Sequence, residues 1–165
     1  MGVSRLVYVD YEKTRRKLEK MIKTETNTKK KVEYQILLIQ LVNGSRLSEA
    51  YEGYYTWTKN PKTREVHVRV RKKKKTVYRT IYIPEVIEPI NITVHPNSIM
   101  RTSRRDLGVN THSLRYAFIT YLGTKHHLPP QVIAKLTKHS KPDLIEYYTH
   151  ELVAKEIHRK IVFGK

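Results

Sequence analysis

The sequence of 165 residues contains no cysteine, which excludes disulfide bonds and thiolate metal sites. Its longest apolar runs, such as residues 36–39, are far too short to cross a bilayer. The N-terminus has no apolar signal region, and Leu6 stands where a myristoylation motif requires Ser or Thr. The acidic residues form no cluster that could hold Mg²⁺, which argues against a two-metal nuclease. We therefore expect a protein that acts inside the cell and away from membranes.

Basic residues greatly outnumber acidic ones. Lys and Arg total 33 against 15 Asp and Glu, which gives a formal net charge of +18. Such an excess suits a polyanionic partner, and nucleic acid is the leading candidate. Charge alone fits a generally basic protein, such as a ribosomal protein, equally well. The length fits one domain with a core of ordinary size.

Apolar spacing in the first third of the chain predicts two helices. They cover residues 10–24 and 32–42, with a basic loop over 23–31 between them. Asn43-Gly44 ends the second helix, and Ser45 can cap a third. Arg46 would then lie in a first helical turn, where backbone donors and the helix dipole favour a phosphate.

The middle of the chain predicts a β-hairpin. Val66, Val68 and Val70 alternate with polar residues, and a second alternating stretch over 77–83 follows the lysine run 72–75. Prolines between 84 and 96 mark a linker. Helices are predicted to begin at His112 and at Pro130, then over 142–148, with an amphipathic tail over 151–163. This order predicts an α+β fold that is mainly helical, with one small antiparallel hairpin.

Three short stretches hold the residue types that attack a phosphodiester without metal. They are Gly44-Ser45-Arg46-Leu47-Ser48-Glu49, His112-Ser113-Leu114-Arg115, and the C-terminal segment with Lys138-His139-Ser140 and Tyr147-Tyr148-Thr149-His150. Two guanidinium groups can hold the oxygens of one phosphate bidentately, and a tyrosine beside it can become covalently attached. His112 and Arg115 point in neighbouring directions on a helix, away from its apolar stripe. We therefore expect Arg115 to face a cleft.

These motifs resemble those of the tyrosine recombinases, the phage-integrase family. The stretch 44–49 is similar to the family's box I, and 112–115 with its apolar helix over 116–122 is similar to box II. His139 and Tyr148 are nine positions apart, the spacing that the family shows. The resemblance extends from about residue 32 to 150 and is closest to integrases of archaeal viruses.

The resemblance implies a fold and a domain organisation. The fold is a tyrosine-recombinase catalytic domain, α+β and mainly helical. We expect residues 1–165 to form this single domain, with an N-terminal helix and basic loop over 1–31, a catalytic core over 32–150 and a tail helix over 151–165. The family's separate core-binding domain has no room in this sequence.

The resemblance also implies a catalytic set: Arg46, Lys75, His112, Arg115, His139 and Tyr148. In this set Tyr148 attacks the phosphate to form a 3′-phosphotyrosyl bond, and Lys75 protonates the departing 5′ oxygen. The two arginines and two histidines stabilise the transition state. No metal or other cofactor is implied.

Alternatives remain for several of these roles. Tyr147 competes with Tyr148 as nucleophile, and Lys74 competes with Lys75 as general acid. DNA contacts on the hairpin are expected from Arg71, Lys72, Lys73 and Lys74, which could also act only through long-range charge. Glu49 could orient a catalytic residue or form a surface salt bridge. Lys138 stands where the family often has Gly, so the turn before His139 could be built differently.

The expected function is that of a site-specific DNA recombinase, most simply a viral integrase. Its partners would be double-stranded DNA attachment sites and further copies of itself on DNA, with no membrane and no small-molecule substrate. The tail over 151–163 could pack on its own core or on a neighbouring subunit. Two other functions stay open: a type IB topoisomerase, which rejoins the original strand, and a non-catalytic basic nucleic-acid-binding protein.

Overall fold

The computed structural model describes residues 8–71, 75–138, 145, 154, 158 and 161–164. Its helices and strands are α1 (Tyr11–Thr24), α2 (Thr28–Asn43), α3 (Leu47–Lys59), β1 (Glu65–Val70), β2 (Val77–Tyr82), α4 (Pro96–Thr102), α5 (Thr111–Thr124) and α6 (Pro130–Thr137). A π-helical turn, Ser103–Leu107, follows α4. The predicted class, mainly helical with one antiparallel hairpin, is confirmed.

The chain divides into two compact units, residues 1–117 and 118–165. The expectation of a single catalytic domain over 1–165 stays a prediction. Across the described ranges, no helix combines the length and the apolar character needed to span a membrane. The helix predicted over 142–148 and the tail over 151–163 lie mostly outside the described residues.

Helix α2 forms the centre of the first unit. Every residue from Val32 to Leu41 is buried, as expected for a helix whose surface is packed on all sides. The loop predicted over 23–31 is wrong in extent, because α2 already begins at Thr28. Its N-cap is Asn27, whose side chain accepts a hydrogen bond from the Lys30 backbone N–H at 3.0 Å. Helix α1 packs against α2, as its apolar stripe predicted.

The end of α2 is tied to strand β2. Gly44 adopts the left-handed conformation, with φ +58°, that ends the helix. The Asn43 side-chain amide donates to the carbonyl oxygens of Ile39 at 2.9 Å and Tyr82 at 2.8 Å, and its oxygen accepts from the Tyr82 N–H at 2.9 Å. The Asn43-Gly44 pair therefore ends the helix and also fixes where β2 lies against it.

The predicted hairpin is present, with Val70 paired to Val77 at its closed end. Its inner face buries Val66, Val68 and Ile81 against α3. Gly53 of α3 permits the close approach, because a Cβ added there would lie 3.1 Å from Cγ2 of Ile81. The segment after β2 is anchored by Tyr54 and Gln35, which bond to the backbone of Glu88.

Helix α4 begins at Pro96, at the end of the segment that its prolines predicted to be a linker. Pro96 occupies its first turn, and the His95 side chain accepts from the Asn97 N–H at 3.1 Å. The buried Glu33 carboxylate of α2 accepts hydrogen bonds from the hydroxyls of Ser98 and Thr102. The prolines were the reason that a linker was expected here, and a helix of 7 residues is too short to show helical periodicity.

In the second unit, α6 begins at Pro130 as predicted. It ends at Lys138, which adopts the left-handed conformation with φ +59°. Glycine adopts this conformation most easily, and the family that the motifs resemble often has glycine at this position. The turn is therefore built as expected for glycine, although Lys138 stands there.

We predict that Asn43→Ala lowers the free energy of unfolding by about 2 kcal/mol, because it leaves the Tyr82 backbone without its side-chain partner. Urea denaturation measures the change. Asn91→Ala is the matched control, since Asn91 is exposed and should show little effect. An equal loss in both variants would contradict the anchoring role of Asn43.

Candidate active site

Three guanidinium groups converge on one buried carboxylate, that of Glu49, which is 2% exposed. Nη1 of Arg46 lies 3.5 Å from its Oε2. Nη1 of Arg79 lies 3.3 Å from Oε1, and Nη1 of Arg115 lies 4.0 Å from the same oxygen. We call these four residues the arginine cluster. All four belong to the first unit, and they come from α3 and its N-cap, from β2 and from α5.

Arg46 is positioned by the start of α3. It occupies the N-cap, where its backbone N–H donates to Glu49 Oε1 at 3.4 Å. The expectation that Ser45 caps this helix is wrong: Ser45 is fully buried and comes one residue before the cap. Arg46 still lies at the positive end of the helix dipole, which favours an anion there.

Arg115 and Arg46 differ in exposure. The Arg115 side chain is 1% exposed, so the expectation that it faces a cleft is wrong. The Arg46 side chain is 39% exposed. The cluster therefore reaches the solvent through Arg46, while Arg115 lies beneath the surface.

Arg79 was not expected at the site. It lies in the inward register of β2, between Val77 and Ile81, and its side chain is 5% exposed. Its Nη2 donates to the Asn43 carbonyl oxygen at 2.7 Å. A charged residue at an apolar register position was the signal in the sequence, but its partner Glu49 is 30 residues away.

The arginine cluster carries more positive than negative charge. Burial, opposed by the attraction of Glu49 and reinforced by repulsion from the nearby Arg46 and Arg79, lowers the pKa of Arg115 to about 10. Burial also lowers the pKa of Arg79. All three guanidinium groups stay protonated at neutral pH, because even a lowered arginine pKa remains well above 7. One carboxylate balances three cations, so the cluster is suited to receive an anion such as a phosphodiester.

His112 stands beside this cluster in the first turn of α5. Its ring meets that of Tyr116 edge to face, with centroids 5.1 Å apart. Partial desolvation of the ring, followed by repulsion from Arg115 and Arg46, lowers the pKa of His112. The imidazole is therefore neutral near pH 7, with one nitrogen able to donate a hydrogen bond and the other able to accept a proton.

Of the remaining predicted site residues, the structure describes only Lys75 and Arg71. Lys75 and Arg71 are exposed at the two sides of the hairpin tip. Lys72, Lys73, Lys74, His139, Tyr147 and Tyr148 lie outside the described residues. Glu49 is buried, so it does not form the surface salt bridge that was the alternative for it. Within the described part of the chain, no three His, Cys, Asp or Glu residues are grouped as metal ligands would be.

Comparisons with known proteins find relatives both in sequence and in structure. No protein-family model matches the chain. The uncharacterized protein MJ0770 of Methanocaldococcus jannaschii is 32% identical over 166 aligned positions, which cover 80% of this chain and 74% of MJ0770. ORF241 of Acidianus two-tailed virus, named provisionally as an integrase, is 36% identical over 135 positions, covering 76% of this chain and 54% of ORF241.

Among solved structures, the chain is similar to the XerH site-specific recombinase bound to its palindromic difH substrate in a post-cleavage complex. It matches with a TM-score of 0.64 at 14% sequence identity, covering 97% of this chain and 54% of XerH. The chain thus spans about three quarters of MJ0770 and about half of ORF241 and of XerH.

We predict that His112 makes the fold less stable in mild acid. Its pKa lies below the ordinary value of 6.5, so between these two values the unfolded chain binds more protons than the folded one. Stability is therefore lost as the pH falls below about 6.5. Urea denaturation at about pH 7.5 and about pH 5.5 should show a larger loss in wild type than in His112→Gln. His67→Gln, at an exposed histidine of β1, should lose as much as wild type; equal losses in all three proteins would contradict the prediction.

Proposed function

The chain belongs to the tyrosine recombinase family, and from this premise we propose that it is the catalytic domain of a site-specific DNA recombinase. The observation that carries the proposal is the arginine cluster, in which the box I and box II arginines, Arg46 and Arg115, meet at one buried carboxylate. The integrase name given to ORF241 and the DNA substrate of XerH support the same function.

In the proposed reaction, the phenol oxygen of Tyr148 attacks the scissile phosphorus of double-stranded DNA. A 3′-phosphotyrosyl bond forms and the bond to the 5′ oxygen breaks. His112 or His139 takes the phenol proton, and Lys75 gives a proton to the departing 5′ oxygen. Phenolate attack on a phosphodiester produces a transition state with two formal negative charges. Arg46 and Arg115 would stabilise it by binding its non-bridging oxygens.

Strand exchange follows when the free 5′ hydroxyl of another strand attacks the phosphotyrosine and releases Tyr148. The ester bond conserves the energy of the original linkage, so the reaction requires neither ATP nor a metal ion. Exchange between two DNA sites requires more than one cleaving subunit, so we propose that copies of the protein assemble on DNA. It would act on the DNA inside the host cell, with Arg71 and Lys72–Lys74 contacting the phosphate backbone of the DNA.

The decisive test is covalent trapping on a nicked duplex, from which the short fragment that carries the new 5′ hydroxyl diffuses away after cleavage. We predict a protein–DNA band on a denaturing gel in the presence of EDTA. Tyr148→Phe should abolish the band, because phenylalanine has no oxygen to attack with, and Tyr147→Phe should retain it. Arg46→Ala and Arg115→Ala should each slow its formation about 100- to 1,000-fold, the usual loss when a donor to transition-state charge is removed.

Absence of the band with wild-type protein, despite salt-sensitive DNA binding, would contradict the enzyme proposal and favour a non-catalytic binding protein. A band that persists in Tyr148→Phe and vanishes in Tyr147→Phe would reassign the nucleophile. Relaxation of supercoiled DNA without any exchange between two sites would favour the topoisomerase.

A second experiment identifies the lysine that acts as general acid for the departing 5′ oxygen. A duplex with sulfur in place of the bridging 5′ oxygen releases a thiolate, which is far less basic than an alkoxide and leaves without a proton. Lys75→Ala should cleave ordinary DNA slowly and the sulfur-substituted duplex at close to the wild-type rate. Lys74→Ala is the matched control: loss of a contact to the DNA backbone should slow cleavage of both duplexes by the same small factor. Rescue of Lys74→Ala alone would move the role to Lys74.

A further inference from the structure

Arg79 joins three parts of the first unit at the arginine cluster. One arm of its guanidinium donates to Glu49 Oε1 at 3.3 Å, and the other donates to the Asn43 carbonyl oxygen at 2.7 Å. Hydrogen bonds between the Asn43 side chain and the Tyr82 backbone also attach strand β2 to the end of α2. Arg79 thus links the hairpin to the end of α2 and to the first turn of α3.

Fold stability alone does not require an arginine at this position. The neighbouring inward residues of the hairpin, Val68, Val70 and Ile81, are apolar and fully or almost fully buried. Burial of a guanidinium has a large desolvation cost, and apolar replacement of buried ion pairs is often neutral or stabilising. An apolar side chain would therefore suit the register of β2, and the charge of Arg79 is better explained by what it does to Glu49.

The contacts of Glu49 are unequal. Its Oε1 lies closer to Arg79, at 3.3 Å, than to Arg115, at 4.0 Å. Two cations compete for this one oxygen, and the nearer one attracts it more strongly. Without Arg79, the carboxylate would form a closer ion pair with Arg115 and draw its donors away from a bound phosphate.

We propose that Arg79 is a positioning residue of the active site: it holds the Glu49 carboxylate toward β2 and thereby keeps the Arg115 guanidinium available to the scissile phosphate. This inference rests on the proposed recombinase function. In this role Arg79 acts only through Glu49, its partner in the cluster. Its effect should appear in the chemical step, through Arg115, and little in the affinity for DNA.

The test measures the first-order rate of covalent adduct formation at saturating DNA. Two duplexes are compared, one with an ordinary scissile phosphate and one with a methylphosphonate, in which a methyl group replaces a charged oxygen. Arg79→Gln should slow the ordinary substrate about 10- to 100-fold, as for other groups that orient a site's ligands. It should slow the neutral methylphosphonate far less, because that substrate depends less on guanidinium charge. Thermal unfolding verifies that Arg79→Gln is folded. If Arg79→Gln does not fold, Arg79→Met takes its place in the test, because an apolar side chain suits the inward register of β2.

Arg64 offers a matched control. Its guanidinium also bonds to backbone carbonyls, those of Pro84 and Ile87, and pairs with a carboxylate, Glu85, outside the cluster. Arg64→Gln should change both substrates by the same small factor. Arg79→Lys keeps the charge and should recover part of the rate on the ordinary substrate.

A double-mutant cycle gives an independent readout if wild type does not cleave the methylphosphonate. When Glu49 is neutral it no longer competes for Arg115, so adding Arg79→Gln to Glu49→Gln should cost little further rate. Losses that multiply in the double variant, or equal slowing of both substrates, would overturn the role of Arg79. Failure of wild type to form an adduct with either duplex would instead overturn the recombinase proposal.

Discussion

The first unit depends on one electrostatic constraint, the sharing of the buried Glu49 carboxylate by three guanidinium groups. A buried carboxylate without partners is strongly destabilising, and so is a buried guanidinium. Arg79 and Arg115 are both almost fully buried, so each relies on the same counter-charge. The fold accommodates these buried charges because α3, β2 and α5 each contribute a charged side chain to the arginine cluster. Its surplus of positive charge is the property from which we derive the proposed chemistry.

Several local features serve to bring these three elements together. The left-handed turn at Gly44 places Arg46 at the start of α3, directly after the central helix α2. Asn43 fixes the strand β2, and with it the register that turns Arg79 inward. His112 and Arg115 lie one turn apart at the start of α5, so the imidazole and the buried guanidinium reach the same region. Lys75 is exposed just before β2, a few residues ahead of Arg79 in the chain.

Much of this architecture could be predicted from sequence because it depends on local signals. Alternating valines predicted the hairpin, apolar spacing predicted α1, and Pro130 predicted the start of α6. The two motif arginines were expected to act together, and both contact Glu49. Other features depend on contacts between distant residues and gave no local signal. Helix α4 is short and is fixed by hydroxyl contacts to Glu33, and Arg79 finds its counter-charge on another element. The burial of Arg115 depends on how several elements pack together, and the apolar periodicity of one helix does not show this.

The most direct test of this account is a crystal structure of the protein trapped covalently on cleaved DNA. We expect non-bridging oxygens of the phosphotyrosyl group to lie about 3 Å from the guanidinium nitrogens of both Arg46 and Arg115. We also expect Glu49 to stay paired with Arg79. A phosphate bound away from both Arg46 and Arg115 would show that the arginine cluster does not hold the scissile phosphate.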